Sequence, residues 1–261
     1  MGKRKNLKQS RAAAIIAAIL AFGMIVSSVT LYIGYISRDK NESSGNEWDL
    51  EAYRGQFVDT IENLESYVEE FGANVAVLNN LAENYQNLIV IQQMFFAESE
   101  VLKGYQQKLL GVYETLLELE PDEAQHRVQL LSACKIMDVD ETVFLEHATI
   151  LRDMLRANPA PPFSLSLMQL LREWEQEELL QEETAWVKAH LEEKLAGNAW
   201  DNYDRLYYAY LLGNFQDDKA GALAQLELIL EEEDETSELY QMTERYHDQL
   251  LVEDETAPGE D

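Results

Sequence analysis

The chain has 261 residues and a formal net charge of -29. Residues 1–40 hold seven of its 20 basic residues and one of its 49 acidic ones, which leaves 13 basic and 48 acidic residues in 41–261, a net charge of -35. A surface so acidic excludes charge-driven binding to nucleic acid or to anionic lipid headgroups, because both need clustered cations.

Lys3, Arg4, Lys5, Lys8 and Arg11 make a basic tail at 1–11. The next 26 residues, Ala12 to Ser37, carry no charge. As a helix rising about 1.5 Å per residue they span about 39 Å, more than a hydrocarbon core of roughly 30 Å. An open chain satisfies its own backbone in lipid only as a helix, so 12–37 is predicted to be one transmembrane helix. The positive-inside bias places the N-terminus in the cytoplasm and the rest outside, with Tyr32 and Tyr35 at the distal interface. A cleaved signal peptide has the same basic start and apolar stretch, and Val26-Ser27-Ser28 offers a cleavage site. The apolar run continues through Ile36, which favours the uncleaved anchor. Either way the acidic portion leaves the cytoplasm. Ala13, Ala17 and Ala21, with Gly23 and Ser27, have helix-pairing spacing, but the abundance of alanine accounts for it.

Residues 38–47 read as a polar linker, in which Asn41 begins a glycosylation sequon. From Trp48 the apolar residues Leu50, Tyr53, Phe57, Ile61, Leu64, Tyr67 (or Val68) and Phe71 recur at helical steps, and Gly72 closes the segment. Paired helices follow. Val75–Leu88 precedes Phe96–Glu120, with Ile89–Ser99 an insertion or a helix extension. Pro121 stops the second, and Asp122 is the candidate N-cap of the next. Ala124–Met137 pairs with Glu141–Ala157. Asn158, Pro159, Pro161 and Pro162 break the chain before Phe163–Gln176, which pairs with Glu183–Leu195. Asp201–Leu212 pairs with Asp218–Glu233 across Gly213-Asn214. Ser237–Leu251 reads as a closing helix, and 253–261 as a disordered acidic tail. No segment alternates as a half-buried strand does, so the expected fold is all-α, with antiparallel hairpins in an extracytoplasmic domain at 48–252.

The pairs recur at roughly 35–45 residues, a period that calls for a solenoid. Leu78, Leu81, Ala82 and Tyr85 in the first helix of a pair, with Tyr113 eight residues before Pro121 in the second, resemble the tetratricopeptide repeat (TPR). Leu151, eight residues before Pro159, has the same relation in the next pair. The likeness covers about 75–235, with a wandering period, and an irregular helical bundle is the competing architecture. The resemblance implies stacked hairpins with a concave face that binds proteins or peptides. Asn79, Glu83, Gln86, Ser132, Asp204 and Tyr208 are the first-helix residues expected to line it. All are neutral or acidic, so the basic clamp with which some family members hold a C-terminal carboxylate is not expected on that face. Tyr203, Leu206, Tyr207, Tyr210 and Leu211 fall on one helical stripe and read as core, with Tyr208 off it.

The histidines His126, His147, His190 and His247 are scattered without metal-ligand spacing. Asp138-Val139-Asp140 begins like a calcium loop but has Val143 where that loop needs glycine. No phosphate-binding or nucleophile-elbow motif occurs, so neither catalytic residues nor a cofactor is expected. Cys134 lies in an apolar helical stretch and reads as a small core residue. The expected function is a membrane-anchored, single-pass scaffold or assembly module that binds a protein or peptide outside the membrane. The alternative is a secreted or anchored enzyme or cation-binding domain built from dispersed acidic residues.

Overall fold

The structure, a computed structural model, describes residues 47–96, 99–197 and 200–255. Ten helices and no strand occur among the described residues: α1 (Glu47–Phe71), α2 (Val75–Phe95), α3 (Ser99–Leu119), α4 (Ala124–Met137), α5 (Glu141–Ala157), α6 (Pro161–Glu173), α7 (Glu177–Ala196), α8 (Asn202–Phe215), α9 (Lys219–Glu232) and α10 (Glu238–Glu255). The basic tail, the apolar segment at 12–37, the linker through residue 46 with Asn41, and residues 256–261 lie outside the described residues. Among the described residues no helix is long and apolar enough to cross a membrane. The chain divides into two compact units, Met1–His147 and Ala148–Asp261, with the boundary inside α5.

In the first unit α1, α2, α3 and α4 each pack on the next, and α2 also reaches α4. Leu78, Leu81, Ala82, Tyr85, Leu88 and Ile89 of α2 are buried. Their three- and one-residue steps keep them on one side of the helix. Leu109, Tyr113 and Leu116 of α3 and Leu130, Leu131, Cys134 and Met137 of α4 are buried too. The residues that carry the repeat resemblance in the first pair, Leu78, Leu81, Ala82, Tyr85 and Tyr113, are therefore core. Each large apolar side chain among them contributes about 1.5–3 kcal/mol on burial. Gly72 ends α1 at φ 84, a left-handed conformation that costs glycine little. Asn74 caps α2 by accepting from the Val77 N–H at 3.1 Å. At the far end of α4, the amide nitrogens of Gln93 and Gln106 donate to the Ile136 carbonyl at 3.1 and 2.8 Å. That carbonyl is one of the last four of its helix, which have no partner in the helix itself.

In the second unit α6 packs on α7 and α8, α7 on α8, α8 on α9 and α10, and α9 on α10. Leu206, Ala209, Leu212, Ala222, Leu226, Ile229, Leu239 and Leu250 form a buried cluster that joins α8, α9 and α10. Both units thus stack neighbouring helices as a helical-repeat protein does, an arrangement compatible with a TPR-like solenoid.

Several boundaries differ from the sequence expectation, each for a local reason. Ile89–Phe95 extends α2, and Ile89, Ile91 and Gln92 are buried along the extension. Glu123, not Asp122, caps α4, accepting from the Gln125 N–H at 3.4 Å. The two prolines at 161 and 162 begin α6 instead of breaking it, because the first helical positions need no N–H partner. Helix α7 starts at Glu177, six residues early, with Glu177 and Glu178 in a first turn whose dipole favours acids. Helix α8 continues through Gly213-Asn214 to Phe215. A Cβ at Gly213 would lie 2.6 Å from the Tyr246 hydroxyl oxygen, so glycine is there for the close approach of α10 and not for a turn. Helix α10 runs through Glu255, so the first three residues of the expected disordered tail are helical.

Candidate functional site

The six residues expected on a binding face divide between the two units. In the first, Gln86 is half-buried and its amide donates to the Tyr113 hydroxyl at 2.5 Å, linking α2 to α3. Asn79 is half-buried, with a carbonyl oxygen that has no partner among the described residues. Glu83 is exposed, and the Ser132 hydroxyl turns back to the Val128 carbonyl at 2.8 Å inside its own helix. In the second unit, Asp204 is buried and completes a capping box with Asp201 at the start of α8. Lys194 of α7 sits 2.7 Å from its carboxylate. Tyr208 is half-buried, lies edge-on to Trp200 at 5.5 Å and donates to Glu192 at 3.0 Å. Burial and that carboxylate push its hydroxyl up to about 12. Of the six, Gln86 and Asp204 hold helices together, and Ser132 spends its hydroxyl on its own helix. The neighbouring stripe is core in large part: Leu206, Tyr207 and Leu211 are buried, and Tyr203 and Tyr210 half-buried.

A different set of side chains converges in the second unit. Arg172 at the end of α6, Leu180, Gln181, Thr184, Ala185 and Lys188 along α7, and Asn214, Phe215 and Gln216 at the end of α8 line an open groove of about 360 Å³. That volume lies at the lower end of the range of ligand clefts. The Arg172 guanidinium lies 4.6 Å from the Phe215 ring centre and donates to the Asn214 carbonyl at 2.8 Å and to the Gln169 side-chain oxygen. The Lys188 ammonium donates to the Gln216 side chain at 3.1 Å. Neither cation has a carboxylate partner among the described residues, although acids outnumber bases in this chain 49 to 20.

The sequence conceals this. Glu192 stands four residues after Lys188, the spacing of a helical ion pair. In the fold Glu192 is instead the acceptor for Tyr208, and Lys188 turns to Gln216. Only the tertiary arrangement decides which of two donors an acid receives.

Two other titratable groups lie buried among the helices. The fully buried Glu183 of α7 has one carboxylate oxygen without a partner among the described residues and the other 3.5 Å from Arg156 of α5. Burial raises its carboxyl above the ordinary range, against the pull of Arg156 and Arg152. In the first unit, burial drives the Cys134 thiol up to about 12, so at neutral pH it is a protonated core group. Among the described residues no cluster of three or more histidine, cysteine or acidic side chains has the geometry to hold a metal ion.

No protein-family model matches the chain, and comparison with curated proteins gives no match.

Proposed function

We propose that the protein is a membrane-anchored interaction module, with a TPR-like helical portion that holds a protein or peptide partner outside the membrane. The observation that carries the reading is the groove in the second unit. It sets two cations that have no carboxylate partner among the described residues beside Leu180, Ala185 and Phe215, on helices stacked as in a repeat protein. Stacked hairpins bury their shared faces and leave helix edges and turns free for a partner. The uncharged 26-residue stretch at 12–37 behind five basic residues supports the anchor and the outward orientation.

The test has two parts. Tags at both ends, followed by protease treatment of intact cells, should show an uncleaved membrane-bound chain whose C-terminal tag is digested from outside. A photocrosslinking residue at Gln181 should then give a discrete heteromeric adduct that one at Glu231, an exposed position on α9, does not give. A soluble shortened chain would remove the anchor from the proposal. Equal or absent adducts at both positions would remove the module.

A further inference from the structure

We infer that the groove between α6, α7 and the end of α8 takes an acidic peptide segment of a partner protein, one that alternates carboxylate with apolar side chains. The inference rests on the module reading above and names the chemistry of its partner.

Charge complementarity carries it. Arg172 uses one N–H on the Asn214 carbonyl and one on Gln169, and Lys188 uses one on Gln216. Among the described residues the other donors of both groups have no protein acceptor, and Lys and Arg have no acceptor capacity of their own. The end of α8 bears a partial negative charge of roughly half a unit, which opposes an anion. Two full positive charges outweigh it, and Arg172 already engages one of the carbonyls that produce it. The residues that line the groove thus carry two positive charges and no negative one, in a chain whose net charge is -29; Glu173 follows Arg172 in sequence, and Asp217 and Asp218 follow Gln216.

The apolar lining narrows the class of anion. Leu180, Ala185 and Phe215 stand among the cations, with the amide side chains of Gln181, Asn214 and Gln216 beside them. A bare inorganic anion leaves that apolar surface wet, whereas a segment with both kinds of side chain covers it. A nucleic acid carries about one negative charge per 1.7 Å of duplex and meets the acidic remainder of the surface along its whole length. A short peptide confines its charge to the groove. The long-range field of the acidic chain opposes approach and is screened beyond about 10 Å at about 0.1 M salt, whereas the contacts in the groove are screened less. Affinity should therefore hold level or rise from low salt to about 0.1 M, the reverse of a simple ion pair.

The full chain in detergent micelles is titrated into a fluorescein-labelled peptide that alternates leucine with glutamate, read by fluorescence anisotropy. The control peptide has glutamine at every glutamate. The glutamate peptide should bind at least about tenfold more tightly, the size of one lost charge-assisted hydrogen bond. Lys188→Glu should abolish that preference and transfer it to a peptide with lysine at the same places. Lys188 serves this variant because its only partner among the described residues is a surface glutamine, whereas Arg172 also supports the end of α8. Equal binding of the glutamate and glutamine peptides, or no binding of either, overturns the inference. So does concentration-dependent self-association that K188E removes, because the occupant is then a second copy of the chain. In cells, an adduct at Gln181 that survives K188E leaves the module standing and sinks only the acidic-peptide assignment. Loss of all adducts in the wild-type chain sinks both.

Discussion

Tyr85 of α2 donates its hydroxyl to Glu65 of α1 at 2.5 Å, and it does so from the buried centre of the first unit. Lys108 of α3 approaches the same carboxylate at 2.8 Å, so one acid ties three helices. Burial alone would raise the Glu65 carboxyl. The hydrogen bonds from Lys108 and Tyr85, with the charge of Lys108, hold it below its ordinary value of 4.5. A depressed folded-state value means that this contribution is present above the unfolded value and is lost as pH falls through the folded one. Tyr85→Phe should therefore cost about 1.5–3 kcal/mol at neutral pH, the range for a hydrogen bond to a charged group. The cost should shrink in acid below pH 4.5, as urea unfolding at the two pH values would show.

Glu183 has the opposite sign. Its folded-state value is raised by burial, so folding favours the protonated form. Stability is highest where the group is neutral, below the ordinary value of 4.5, and declines as pH rises through the folded value. Glu183→Gln should therefore raise the unfolding midpoint at neutral pH, by a free energy on the order of 1 kcal/mol. The gain should fade as pH approaches 4.5. A variant less stable than wild type at neutral pH would show that Arg152 and Arg156 more than offset the cost of burial.

The sequence discloses the periodic parts of this protein and hides the paired ones. Leu78, Leu81, Ala82 and Tyr85 could be placed in a core because a stripe at helical spacing has one way to be buried. The limits of α4 and α5 were legible for the same reason, since turn residues flank a regular pattern. Gly213 misled, because a glycine near a helix end usually marks a stop, and its reason here is α10, some thirty residues further on. Asp204 misled in another way. A helix-start acid reads as a surface residue until its partner Asp201 and the incoming Lys194 are known. Arg172 and Lys188 gave no signal at all, because what distinguishes them is that neither has a carboxylate partner among the described residues, and Glu192, which spacing offers to Lys188, goes to Tyr208.

Gly213→Ala should destabilise the chain by about 1–3 kcal/mol, the usual cost of an added methyl in a packed site. The added Cβ has the Tyr246 hydroxyl in its way at 2.6 Å. Removal of that oxygen by Tyr246→Phe should recover part of the loss, although it also forfeits the hydrogen bond from Asn214 at 2.6 Å. The double variant should thus be more stable than the sum of the two single losses, and a double-mutant cycle from thermal unfolding reads the difference.

Cys134 should resist a thiol reagent in the folded chain. It is fully buried, and its thiol is pushed up to about 12, so thiolate is scarce and inaccessible. In mild urea its labelling rate should track the opening of the first unit. Fast labelling in native buffer would contradict the packing of α4.

The amides of Gln93 and Gln106 meet at one carbonyl, that of Ile136. Two side chains on neighbouring helices thereby set where α4 has to end. One residue inserted inside α4 would turn everything after it by about 100° and carry that oxygen away from both amides. The same residue inserted after the helix, in the Asp138–Asp140 connection, would leave the oxygen in place. This stretch of chain should therefore accept length changes in the turn and refuse them in the helix, so its repeat period can drift only at the joints.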